Sequence, residues 1–227
     1  MRTAGRLVAV ATATVVTATA AAVTGCSTTI AGTPTFPGAR LEAAVLTAGD
    51  FPLGVLYDRI IEVPGQPDGA GGPGPMLSRP AGCSDGLTDV IAKSAERGPG
   101  SAAKYSVSYD GARIVMTVLS WRLNLSGLAA TAARCEHFEA FFDPSSDGIP
   151  MTTIKLPAPE DGALVYQQTM LLNGAERSMF MSFQNLGDMA VFGIAHPTDD
   201  AAISVKASLP QTFLDVVSQQ ADRARSA

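Results

Sequence analysis

Positive charge is scarce and scattered in this chain. Its 227 residues contain 16 lysines and arginines against 21 acidic residues, and lysines and arginines nowhere form a run. Proteins that bind nucleic acids or anionic lipid surfaces use patches of positive charge. The composition therefore argues against a nucleic-acid partner.

Histidines are even rarer, and the usual catalytic motifs are missing. His137 and His196 are the only histidines, and no G-x-S-x-G elbow occurs. Nucleophilic catalysis requires a Ser or Cys with a base and a group that orients the base. The glycine-rich stretch 69–74 (GAGGPG) lacks the Lys-Ser/Thr ending of a phosphate-binding loop. The sequence therefore predicts a non-enzymatic protein without a cofactor or a metal site.

Charge is also absent from a long stretch near the N-terminus. Arg2 and Arg6 precede residues 7–23, which carry no charge, and no acidic residue occurs before Glu42. A basic start followed by an apolar run and small residues is typical of a secretory signal. Residues 7–25 are also just long enough to span a bilayer as an uncleaved helix. However, the segment is rich in Ala and Thr, and no basic stop-transfer cluster follows it, which favours the signal peptide.

The signal ends in Val23-Thr24-Gly25-Cys26, which resembles a bacterial lipobox. The resemblance implies a diacylglyceryl thioether on Cys26, cleavage before Cys26 and acylation of the new amino group with a fatty acid such as palmitate. Two or three acyl chains give a durable membrane anchor, at about 0.8 kcal/mol per buried CH₂. We therefore expect a signal peptide over 1–25, a lipidated Cys26 with a Thr- and Pro-rich tether over 26–40, and a single domain over 41–227.

This organisation predicts a protein held at the extracytoplasmic face of the cell membrane by its lipid anchor. Removing residues 1–25 takes away two arginines and no acidic residue, so the mature net charge becomes −7 instead of −5.

Two cysteines remain once Cys26 is assigned to the anchor. Because exported proteins fold in an oxidising compartment, Cys83 and Cys135 predict a disulfide. A bridge that closes a loop of about 50 residues stabilises the fold by about 4 kcal/mol in the chain-entropy model. The alternatives are two buried free thiols or a metal pair, although the spacing fits no zinc site.

Periodicity and turn residues predict alternating helices and strands. Thr47 and Asp50 resemble a capping box, and residues 64–82, with many Gly and Pro, predict no regular structure. Asp110-Gly111 and Asn173-Gly174 indicate hairpin turns. The predicted strands are 55–63, 105–109, 113–121, 152–156, 163–172, 177–184 and 189–196, and the predicted helices are 84–96, 124–142 (with Cys135 on its buried face) and one that starts at Ser208, with Pro210 in its first turn. The fold class is α+β, a large antiparallel sheet with helices packed mainly on one face and one disulfide.

Several of these features together resemble a known group of proteins. The lipobox, the short tether, the segment LTAGDFP and the helix–hairpin–helix bearing Cys83 and Cys135 resemble a family of mycobacterial cell-envelope lipoproteins. They are more distantly similar to the extracellular sensor domain of a mycobacterial Ser/Thr protein kinase. That resemblance implies an antiparallel sheet with helices around a cleft, although the sensor type has two internal cysteine pairs where this chain has one. It implies a fold and a location, but not a reaction.

Methionines recur in the predicted strands, where they can fill a core or line an apolar site. On the strand 177–184, Met179 and Met181 share one face, while Phe180 lies on the other. If helices cover only one face of the sheet, the second face can bind an apolar small molecule or lipid. The candidate ligand-binding residues are Met170, Met179, Phe180 and Met181.

The sequence thus predicts a binding or sensor-like module of the cell envelope. The alternatives are an envelope hydrolase with an unrecognised site and a structural or interaction lipoprotein whose protein partner the sequence does not identify.

Overall fold

The computed structural model describes residues 38–61, 76–90 and 100–227. The α-helices that lie wholly within these residues are α1 (Ala39–Ala44), α2 (Leu125–Arg134) and α3 (Gln211–Arg225), and a 3₁₀ helix spans Ala48–Asp50. The strands are β1 (Leu56–Ile60), β2 (Leu77–Arg79), β3 (Ala102–Tyr109), β4 (Ala112–Leu119), β5 (His137–Phe141), β6 (Ile149–Leu156), β7 (Leu164–Leu172), β8 (Ala175–Leu186) and β9 (Met189–His196). The signal peptide and Cys26 lie outside the described residues.

All nine strands belong to one antiparallel sheet, in the order β1-β3-β4-β9-β8-β7-β6-β5-β2. The turns that the sequence predicted join consecutive strands. Gly111, at φ 106°, follows β3, and Asn173 and Gly174, at φ 53° and 77°, connect β7 to β8. Positive φ at both Asn173 and Gly174 meets the requirement of a type I′ hairpin turn, whereas in the β3–β4 turn only Gly111 has a positive φ. The predicted α+β class is confirmed.

Successive strand residues point to opposite sides of the sheet, which gives it two apolar faces. Helices pack against both of them. On one face, Phe213 of α3 and Leu41 of α1 share a core with Met116 of β4. On the other face, Leu128 of α2 shares a core with Phe183 and with other strand residues. Two of the three described helices therefore lie on the same face, and α2 covers part of the second.

The region after α2 differs from the prediction. The helix predicted over 124–142 ends at Arg134, and His137–Phe141 forms β5, which pairs with β6. In β5, Phe138 and Ala140 are buried while Glu139 between them is exposed, which is the two-residue period of a strand. The spacing of apolar residues in this segment is also compatible with a helix, which is why a helix was predicted. Hydrogen bonding to β6 stabilises the strand instead.

Two smaller expectations also need correction. Residues 77–79, within the stretch predicted to lack regular structure, form the edge strand β2. The C-terminal helix begins after Pro210, which is its N-cap residue without a side-chain cap. Ser208, which was predicted as the cap, instead donates its backbone N–H to Thr212 Oγ1 at a distance of 2.9 Å. Of the helix predicted over 84–96, residues 84–88 form bends and turns, residues 89 and 90 are helical, and residues 91–96 lie outside the described residues.

Helix α1 starts at Ala39, two residues before the predicted domain start. Among residues 38–61, 76–90 and 100–227, every helix is too short or too polar to cross a membrane.

Candidate functional site

The predicted disulfide is present. The sulfurs of Cys83 and Cys135 are 2.04 Å apart, and both residues are buried beside Phe138. The guanidinium of Arg134, at the end of α2, donates hydrogen bonds to the carbonyl oxygens of Ala81 and Gly82, at distances of 3.0 and 3.1 Å. The bridge and these hydrogen bonds therefore join the segment that leads to Cys83 to the end of α2.

The four candidate ligand-binding residues do not form one surface. Met181 is fully buried, and Met179, half-buried, packs against the same core beneath α2. Met170 is also half-buried and pairs across the sheet with Arg177. Phe180 lies on the opposite face, in the core beneath α3. Because Met181 is fully buried in a core that includes Leu128 of α2, the second face is not open there, and an apolar ligand at these residues stays a prediction.

The two histidines lie far apart in the sheet. His137, on β5, is exposed, with its Nε2 3.8 Å from Glu136 Oε1. His196 ends β9 and pairs with Arg113 of β4. Burial, together with the positive charge of Arg113, lowers the pKa of His196. The imidazole of His196 is therefore mostly neutral at pH 7.

A polar pocket of about 420 Å³ lies at another position, which the sequence did not indicate. It is formed by the end of α3, the end of β8 with the β8–β9 turn, the loop before β7 and the start of α1. Its lining residues, which define the Gln184 pocket, are Arg40, Glu160, Asp161, Gln184, Asn185, Leu186, Gly187, Ala224 and Arg225. Small-molecule sites typically occupy about 300–1,000 Å³.

Hydrogen bonds and ion pairs join distant segments around the Gln184 pocket. Glu160 Oε2 accepts a hydrogen bond from Gln184 Nε2 at 2.7 Å and one from Arg225 Nη2. Arg40 Nη1 donates to both carboxylate oxygens of Asp188, at 2.9 and 2.8 Å. These hydrogen bonds from Arg40 lower the pKa of Asp188. These contacts connect the loop before β7 to β8 and α3, and α1 to the β8–β9 turn.

The Gln184 amide leaves one acceptor unused. Gln184 is only 5% exposed, and its Oε1 accepts no hydrogen bond from any residue that the structure describes. The bond from Nε2 to Glu160 fixes the amide orientation, since a flipped amide would place two oxygens against each other. A buried acceptor without a partner costs about 1–3 kcal/mol. In the sequence, the only sign that Gln184 is buried is its alternation with Phe180, which places both residues on the face of β8 that α3 covers.

The comparisons with known proteins add little to this site. No protein-family model and no curated protein matches the chain. An X-ray structure of an uncharacterized Mycobacterium smegmatis protein, described as an Rv0999 ortholog, is similar at 14% identity with a TM-score of 0.45, covering 78% of this chain and 92% of that chain. A similarity of this degree bears on neither the site nor the function.

Proposed function

We propose that this chain is a lipid-anchored protein of the extracytoplasmic face of the bacterial cell membrane, and that its α+β domain is a non-enzymatic binding or sensor-like module. The disulfide between Cys83 and Cys135 is the observation that carries this proposal. Disulfides persist in oxidising compartments outside the cytosol and are rare inside it. The lipobox-like sequence ending in Cys26 provides the anchor, as in the mycobacterial envelope lipoproteins that the chain resembles.

The Gln184 pocket supports the binding part of the proposal. Its walls come from segments far apart in the sequence, and ion pairs join Arg40 to Asp188 and Arg225 to Glu160. Neither His137 nor His196 is among its lining residues, which offer hydrogen-bonding groups and charges. The arrangement suits recognition of a ligand.

The test of the anchor is Cys26→Ala, expressed in a bacterium that processes lipoproteins. We expect the wild-type chain to enter the detergent phase of a Triton X-114 partition at a mass that includes the acyl chains. The variant lacks the sulfur that carries the diacylglyceryl group, so it should be found uncleaved or in the aqueous phase.

Ser27→Ala is the matched control, because it changes the neighbouring residue and leaves the sulfur in place. This control should partition as the wild type does. Recovery of Cys26→Ala in the detergent phase at the mature mass would show that the anchor is not on Cys26.

A further inference from the structure

We infer that one part of the sheet surface, away from the Gln184 pocket, binds a fatty acid. The ligand carboxylate pairs with Arg177, and the acyl chain lies along neighbouring apolar side chains. The residues that define this Arg177 surface are Phe142, Met151, Met170, Leu172 and Arg177. The inference rests on the proposed binding function and names a ligand class for it.

The register of the strands places the residues of the Arg177 surface side by side. Arg177 of β8 lies directly opposite Met170 of β7, and Met170 lies directly opposite Met151 of β6. Such residues project from the same face of a sheet, with Cβ atoms about 4.5–5.5 Å apart. Arg177, Met179 and Met181 alternate along β8, so this is the face against which α2 packs.

The apolar side chains of the Arg177 surface are accessible to a ligand. Phe142 is 66% exposed and Leu172 is 38% exposed, while Met151 and Met170 are half-buried. From Arg177 to Phe142, the surface crosses three strand spacings and continues along β5, which gives a length of about 20 Å. Methionine side chains adapt their shape to an apolar partner. A surface of this length and composition suits a long acyl chain.

The charges on this face favour a carboxylate ligand. Strands β4 to β9 place Arg113, Lys155 and Arg177 on the α2 face, whereas their two acidic residues, Glu139 and Glu176, lie on the opposite face. Arg177 is exposed and forms no ion pair within the part of the chain that the structure describes. A guanidinium binds a carboxylate through two parallel hydrogen bonds. A cationic amphiphile would be repelled here.

The two ends of the Arg177 surface differ in charge. Asp143 and Asp147 lie in the loop that follows Phe142, whereas Arg177 is at the other end. A carboxylate is repelled at the first end and attracted at the second. The ligand is therefore bound in one direction, with its methyl end towards Phe142.

The experiment labels the full lipidated chain with a photoreactive palmitic acid that carries a diazirine and an alkyne. The chain is reconstituted in phosphatidylcholine nanodiscs, so that its anchor is in place and the bilayer has no net charge. After illumination we expect the label on the tryptic peptides 135–155 and 156–177, which contain the apolar residues of the Arg177 surface. Excess palmitic acid should remove the label, whereas palmityl alcohol, which has no carboxylate, should not.

Arg177→Gln removes the positive charge at an exposed position. We expect the probe concentration that gives half-maximal labelling to rise about tenfold. Arg79→Gln is the matched control, because Arg79 is also exposed but pairs with Glu139 on the opposite face of the sheet. This variant should be labelled as the wild type is. Met170→Glu places a carboxylate opposite Arg177 and should also weaken labelling, whereas Met170→Leu should not.

Three results would overturn the inference: equal labelling of Arg177→Gln and the wild type, equal competition by palmityl alcohol and palmitic acid, or label confined to other peptides. None of them bears on the proposed anchor, which the detergent partition of Cys26→Ala tests separately. A ligand found in the Gln184 pocket would likewise keep the proposed binding function, even if the Arg177 surface bound no fatty acid.

Discussion

Two consecutive glutamines of α3 occupy opposite environments. Gln220 is fully buried, with its Nε2 donating to the carbonyl oxygen of Ala44 at 2.6 Å and its Oε1 accepting from the N–H of Leu46 at 3.2 Å. Gln219 is exposed. Because the last carbonyls of a helix have no partner within that helix, Gln220 satisfies a backbone group at the end of α1.

Replacing Gln220 should therefore be far more damaging than replacing Gln219. Gln220→Met keeps the volume but leaves two buried backbone groups unpaired, at about 1–3 kcal/mol each. We expect the free energy of unfolding in urea to fall by about 3 kcal/mol, whereas Gln219→Met should change it by less than about 0.5 kcal/mol. Equal stabilities of the two variants would contradict the bridging role of Gln220.

The sequence predicts the hydrogen bonds of a polar side chain only when its partner is close along the chain. Thr47 and Asp50 were predicted as a capping box from their spacing, and the structure contains it, with the Thr47 N–H 2.7 Å from Asp50 Oδ2. Gln220 bonds residues 174 and 176 positions away. Gln184 lies 24 positions from Glu160. Local spacing cannot reveal such partners, so the sequence did not indicate the Gln184 pocket.

Among the secondary-structure elements, hairpins were predicted well because their signals are local. The Asp-Gly and Asn-Gly turns specified which strands are neighbours, and β3–β4 and β7–β8 pair as expected. The pairing of β4 with β9 joins strands about 80 residues apart, and no turn residue encodes it. The helix prediction over residues 137–141 was wrong, because two buried positions in five residues fit either a helical turn or a strand. Its neighbour β6 resolves the ambiguity.

The disulfide connects the end of α2 to the segment that follows β2. Cys83 and Cys135 are 52 positions apart, and a bridge over that distance restricts the unfolded chain considerably. We expect Cys83→Ala/Cys135→Ala to lower the free energy of unfolding by about 2–5 kcal/mol. Urea unfolding of oxidised protein measures this loss.

A reducing agent provides the control for that variant. It should lower the stability of the wild type by a similar amount and leave the double variant unchanged, because only the wild type has a bond to reduce. Labelling the unfolded, unreduced wild type with a thiol reagent is the independent check. Two reactive thiols at Cys83 and Cys135 would refute the bridge.

Considered as a whole molecule, the chain is acidic, and its described arginines are largely engaged with neighbours. Arg40, Arg59, Arg223 and Arg225 each pair with a carboxylate. The net charge of −7 after loss of residues 1–25 therefore arises without a compensating run of basic residues. An acidic molecule is repelled by anionic lipid headgroups, so membrane attachment of the proposed lipoprotein depends on its acyl chains.

The final prediction separates the anchor from the domain. A chain of residues 27–227, which lacks Cys26, should not co-sediment with phosphatidylglycerol vesicles even at low salt, where electrostatic attraction would be strongest. The lipidated chain should bind both these vesicles and neutral phosphatidylcholine vesicles, because burial of two or three acyl chains outweighs the repulsion between the acidic domain and anionic headgroups. Binding of the unlipidated chain to phosphatidylglycerol alone, weakened by added salt, would instead reveal a basic membrane-binding surface. It would then be the protein surface, as well as the lipid, that holds the domain at the membrane.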